Sequence, residues 1–228
     1  MIKIKKKHFF IGLGIVASIP LLVIIIILLC MSFMFFSMDS SSKDELVENY
    51  QLKKEYILKL KDSYEHIVPE DYHVYIECKD DNNIDLWVFE KVDTLSKESI
   101  CLFQEWDINP FDYVKNPLSS YDSIYCPSKT NDIELIKKRL KWTDSTFIEI
   151  KQLLKKANCI SIENGNPVEV GYARSGMGKY SYYLFNDSIP NDEIHQWNDS
   201  CSYIYYNPKV VLGYSGGAIG SQGFPDPE

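Results

Sequence analysis

The feature that most constrains this chain is a run of 28 residues without a charged side chain, Phe9 to Phe36. A bilayer's hydrocarbon core takes about 20 apolar residues as a helix, so the run crosses it with length to spare. It is densest from Leu21 to Leu29, with phenylalanines near both ends and Pro20 expected to kink the helix. Lys3, Lys5, Lys6 and Lys7 precede the run, and Asp39, Asp44 and Glu45 follow it. The positive-inside rule then sets residues 1–8 in the cytoplasm and everything after residue 36 outside it. A cleaved signal peptide would have a shorter apolar core and small residues before the cut, where this chain has Phe36 and Met38. A lipoprotein site at Cys30 would want Gly, Ala or Ser where Leu29 stands. The expectation is an uncleaved signal-anchor over 9–36 in the inner membrane. The bilayer is its partner, and the C-terminal domain is periplasmic.

Charge separates the two parts. The whole chain is −8, and the four leading lysines face no acid before residue 39. Without them, 20 basic residues stand against 32 acidic ones, so the domain is near −12. A domain that acidic repels nucleic-acid backbones and anionic headgroups, which sets nucleic-acid binding aside. Only Arg139 and Arg174 are arginines, as a lysine-biased, AT-rich genome gives. The 16 tyrosines suit strands and a half-wet surface.

The fold class expected is α+β: one N-terminal transmembrane helix, then a soluble domain with antiparallel β-sheet and two or three helices. Ser42 and Glu45 form a capping box that opens a helix ending before Pro69. Leu46, Tyr50, Ile57, Leu60 and Tyr64 share one face of it. Segment 37–68 is thus a helical stalk or a helix packed on the domain, which spans 69–228. Tyr72–Cys78 and Ile84–Phe89 alternate around Asp80-Asp81-Asn82-Asn83 and read as a β-hairpin. A third strand is expected over Ser99–Trp106, then a proline-broken connection over 107–130. Residues 131–157 read as two short helices restarting at Thr143. Strands are expected at Cys159–Glu163, Val168–Tyr172, Lys179–Phe185, Tyr203–Tyr206 and Lys209–Tyr214, with a loose tail over 215–228.

Five cysteines follow the apolar run: Cys78, Cys101, Cys126, Cys159 and Cys201. In an oxidising envelope the candidate bridges are Cys159–Cys201 across the C-terminal strands and Cys78–Cys101 across the N-terminal ones. The odd count leaves one thiol unpaired unless chains cross-link. The alternative is small, buried, hydrophobic cysteine. Absent CxxC spacing and paired histidines, no metal site and no cofactor are expected.

Two motifs resemble catalytic ones in part. Gly213-Tyr214-Ser215-Gly216-Gly217 has nucleophile-elbow spacing, but the helix and the later histidine that the elbow requires are missing. Gly171 to Lys179 is similar to a phosphate loop, but Met177 takes the lysine position. It reads better as a connection between two strands, with Gly176 and Gly178 permitting positive φ. Arg174 sits beside this loop with Tyr172, Tyr180 and Tyr182 close in sequence. It could fork a carboxylate or stack on a ring, so these four are the candidate binding residues, weighed against a structural ion pair.

Cys159-Ile160-Ser161-Ile162 and Gly171 through Tyr182 resemble segments of uncharacterised, single-pass, membrane-anchored proteins of Gram-negative gut-type bacteria. The likeness covers the C-terminal third. It implies an inner-membrane protein with a periplasmic domain and carries over no activity. The residues themselves, without an assembled catalytic set, point to a non-enzymatic module binding a partner protein, with an immunity-type role one version. The alternative is an envelope hydrolase acting on cell wall or glycan.

Overall fold

A computed structural model describes residues 26, 41–92, 99–113, 130, 132–176, 178–199, 201–215 and 223–224. Residues 1–8, the apolar run apart from helical Ile26, Cys126 and most of the 215–228 tail lie outside these residues. Among the described residues, no helix is long and apolar enough to cross a membrane. Contacts divide the chain into two units, 1–40 and 41–228.

The first helix, α1, spans Lys43–Ile67. The Glu45 amide donates to Ser42 Oγ at 3.2 Å, and the Ser42 amide donates to Glu45 Oε2 at 3.1 Å. These bonds satisfy two amides that the helix start leaves without partners. Val68 turns extended before Pro69, as the proline ring requires of its predecessor. Leu46, Ile57, Leu60 and Tyr64 are fully buried, so α1 is a packing helix and not a stalk. Each such aliphatic side chain contributes about 1.5–3 kcal/mol.

Strands β1 (Tyr72–Cys78) and β2 (Ile84–Lys91) form the expected hairpin. Its turn is held by Asp80 Oδ1, which accepts the amides of Asn82 and Asn83 at 2.7 and 2.8 Å. β3 spans Ser99–Ile108. α2 (Ile133–Leu140) starts on Asp132, whose side chain accepts two amides, and ends at Lys141 with φ 57°. α3 (Asp144–Ala157) restarts at Thr143 and ends at Asn158 with φ 53°. The Trp142 indole between them donates to the Ile67 carbonyl at 2.9 Å, tying the end of α1 to this pair. Then come β4 (Ser161–Glu163), β5 (Val168–Ser175), β6 (Gly178–Leu184), a 3₁₀ turn (Ile194–Trp197), β7 (Tyr203–Asn207) and β8 (Val210–Ser215).

The sequence divides the strands into an N-terminal and a C-terminal group. The structure joins them in one eight-stranded sheet, ordered β3-β2-β1-β4-β5-β6-β8-β7, with every pairing antiparallel. The seam is β1 against the three-residue β4, pairing Ile76 with Ile162 and Glu77 with Ser161. Asn164 reinforces it: its Oδ1 accepts the Val74 amide at 2.6 Å, and its Nδ2 donates to the Tyr72 carbonyl at 2.9 Å. Val74, Ile76, Leu86, Val88, Phe103, Ile162, Val170, Tyr182 and Leu212 face the helices and form the core.

Both expected disulfides are corrected. Cys78, Cys159 and Cys201 are free thiols, while Cys101 is disulfide-bonded. Cys78 pairs across the hairpin with Ile84, whereas Cys101 pairs with Phe89 near the other end of β2. The two lie two strands apart, beyond the reach of a bridge. Cys159 is buried after α3, donating its thiol to the Ala157 carbonyl at 3.4 Å, while Cys201 is exposed before β7.

Candidate functional site

The helices cover one face of the sheet, and the charged chemistry sits on the other. A β-bulge decides which side Arg174 takes. In strict alternation Arg174 would share a face with Tyr172. The register shifts between Gly171 and Ala173, so Ala173 pairs with core Tyr180 and Arg174 with Lys179. The extra residue turns Arg174 to the face away from the helices.

There it forks the carboxylate of Glu77. Arg174 Nε and Nη2 donate to Glu77 Oε1 and Oε2 at 2.8 and 2.7 Å. Lys79 Nζ donates to Glu77 Oε1 at 3.0 Å and pairs with Asp85 Oδ2 at 2.8 Å. The Tyr75 hydroxyl also donates to Glu77. The Glu77 side chain is only 2% exposed, against 47% for Arg174. Burial pushes the Glu77 carboxyl up, but the hydrogen bonds from Arg174, Tyr75 and Lys79 outweigh it and hold the pKa down at about 2. Burial first, and then the Glu77 charge, push the Tyr75 phenol far above its usual range.

A second polar group adjoins this one. Lys179 Nζ pairs with Glu169 at 3.0 Å and lies 4.9 Å from the Tyr75 ring centroid. Ser181 donates to Glu169 at 2.9 Å. Toward β3, Tyr75 packs on Trp87 at 4.6 Å between centroids, and Trp87 meets Trp106 edge-on at 6.0 Å. Trp106 is 51% exposed. Among the described residues, the buried Trp87 indole N–H has no acceptor. The face thus carries a neutralised ion-pair network beside an aromatic stripe across β1, β2 and β3.

Of the four residues the sequence singles out, only Arg174 reaches this face. Tyr182 is fully buried beneath α1: its hydroxyl donates to the Leu46 carbonyl at 2.8 Å and accepts from Asn49 Nδ2 at 3.1 Å. Tyr180 is buried against Tyr214 and Phe224. Tyr172 is on the helix side, near Tyr182. Tyr180 and Tyr182 are core, and Tyr172 is half-buried at its edge, because the pleat and the bulge turn all three to the helix side. The sequence-level signal for Tyr75, Glu77, Asp85, Trp87 and Trp106 is weaker. The first four occupy the alternate, outward positions of β1 and β2, which read only as a solvent face.

Among the described residues, this network does not assemble acid–base chemistry. Glu77 is a carboxylate saturated with donors and held ionised, so it neither gives nor takes a proton near neutrality. His195 belongs to the 3₁₀ turn, next to β7. His73 pairs with Glu163 at 2.7 Å, and His66 Nδ1 bonds the Asp62 carbonyl at 2.6 Å. Among the described residues, no three His, Cys, Asp or Glu side chains gather as a metal site. Ser215 ends β8, and Gly176, with φ 57°, turns the β5–β6 hairpin. Two grooves, of about 410 and 790 Å³, are walled by other residues than Arg174 and Glu77. No family model, curated protein or solved structure matches the chain.

Proposed function

We propose that residues 9–36 anchor the chain in a bacterial inner membrane and that the domain after it is a non-catalytic module. It binds a partner protein in the periplasm through the face of its sheet that carries Trp106. The anchor rests on the uncharged run and its lysine flank. The binding reading rests on Trp106. A half-exposed tryptophan, packed on a second tryptophan whose N–H has no acceptor among the described residues, is the residue type that dominates interface energetics. An unmet buried donor costs about 1–3 kcal/mol, which a partner carbonyl entering beside Trp87 would recover. The ion-pair network of Arg174, Glu77, Lys79 and Asp85 links β1, β2 and β5 beside the stripe.

The test is a crosslinking pull-down on full-length, membrane-inserted protein, read by mass spectrometry. Trp106→Ala and Leu52→Ala run beside it; Leu52 is exposed on α1, away from the site. A discrete protein recovered with wild type and Leu52→Ala but lost with Trp106→Ala is the expected result. No partner, or equal recovery with Trp106→Ala, overturns the reading. For the topology, a periplasmic reporter fused after residue 228 should be active, and activity of a cytoplasmic reporter alone would overturn it.

A further inference from the structure

Two free thiols share one groove on the helix side of the sheet. Cys78 ends β1, and Cys159 follows α3. Both line the groove of about 410 Å³, together with Lys151, Asn158 and Tyr172. The Cys78 amide donates to the Ile160 carbonyl at 2.9 Å, which carries the β1–β4 pairing one step past Glu77 and Ser161. Cys159 therefore stands diagonally across from Cys78. Pairing sets the Cα atoms of Cys78 and Ile160 about 5 Å apart, and Cys159 is the next residue, already outside β4 and its pleat. A disulfide spans roughly 4.4–6.8 Å. Both side chains also pack on the same apolar cluster, so they lie on one side of the sheet. The fold already holds one disulfide, at Cys101.

We propose that Cys78 and Cys159 are a dithiol that a small-molecule disulfide oxidises to an intramolecular bridge, tying the end of α3 to β1. Cys78 is the more exposed of the two and reacts first. Its thiolate attacks one sulfur of glutathione disulfide, forming a mixed disulfide and releasing one glutathione thiolate. The Cys159 thiolate then attacks Cys78 Sγ, forming the Cys78–Cys159 bond and releasing the second glutathione. The protein gives up two electrons and two thiol protons, and the glutathione disulfide becomes two glutathione thiols. Burial pushes the Cys78 thiol up to about 11 and the Cys159 thiol higher still, so the exchange is slow at neutral pH and quickens in mild alkali. The bridge closes a loop of about 80 residues, long enough to restrict the unfolded chain strongly. The chemistry is independent of partner binding and of membrane topology.

Full-length protein in detergent micelles is equilibrated at pH 8.5 with rising ratios of oxidised to reduced glutathione, acid-quenched, alkylated, digested and mapped by mass spectrometry. The expected product is a peptide pair linked through Cys78 and Cys159, with Cys201 alkylated or glutathionylated. A rise in Tm on the order of 10 °C should accompany it. The Cys78→Ser variant should show neither. Recovery of Cys78 and Cys159 as alkylated thiols, as separate glutathione adducts, or linked to other cysteines overturns the proposal. The mapping is made on the wild-type chain, so its outcome does not depend on a variant folding.

Discussion

Replacing Arg174 with alanine should destabilise the domain in a way that depends on pH. The substitution removes both guanidinium bonds to a carboxylate that is 2% exposed and leaves it Tyr75 and Lys79. Lowering the Glu77 pKa from its ordinary 4.5 to about 2 corresponds to about 3 kcal/mol of folding stability at neutral pH. Arg174 is one of three donors and is half exposed, so its share is discounted to about 2 kcal/mol. In a domain of this size that lowers Tm by about 4–8 °C. The sign follows from the depressed pKa. The stabilisation is complete above the unfolded value of 4.5 and is lost as pH falls through the folded value near 2. The gap between wild type and variant should therefore shrink to about half at pH 3 and nearly close at pH 2. Urea denaturation of the 41–228 unit, followed by fluorescence of the four tryptophans, measures this at pH 7 and pH 3. Glu77→Gln and the double variant complete the thermodynamic cycle. A loss below about 0.5 kcal/mol at pH 7, or an equal gap at both pH values, would refute the reasoning.

Tyr182→Phe removes a buried hydroxyl that bonds both the Leu46 carbonyl and Asn49, and should cost about 1–2 kcal/mol in the same urea assay without changing the sheet's circular dichroism. At Gly178 an added Cβ would lie 2.4 Å from the Tyr214 ring and 2.7 Å from the Ser215 carbonyl. Gly178→Ala should therefore lose about 1–3 kcal/mol, whereas Gly176→Ala meets no atom within 4 Å and is strained only by its φ of 57°. Equal losses at the two glycines would show that close packing at Gly178 is not what matters.

Within the domain, the sequence alone determines what is local. The capping box at Ser42, the Asp80 turn, the restart at Thr143 and the alternation of β1 and β2 rest on bonds between residues two or three apart or on a fixed side-chain period. Helices and strands fall close to where those signals put them, and α1 stops where Pro69 requires. Tertiary structure decides what joins distant segments. Arg174 and Glu77 are 97 residues apart, and Asn164 and Val74 are 90 apart. Nothing in the local pattern around Gly171 announces the bulge that moves Arg174 to the Glu77 face and leaves Tyr180 and Tyr182 in the core. The pairing of β1 with β4 likewise follows from which apolar faces can be buried together under α1. That pairing also brings Cys78 level with Ile160, next to Cys159, while β2, lying between β1 and β3, keeps it from Cys101.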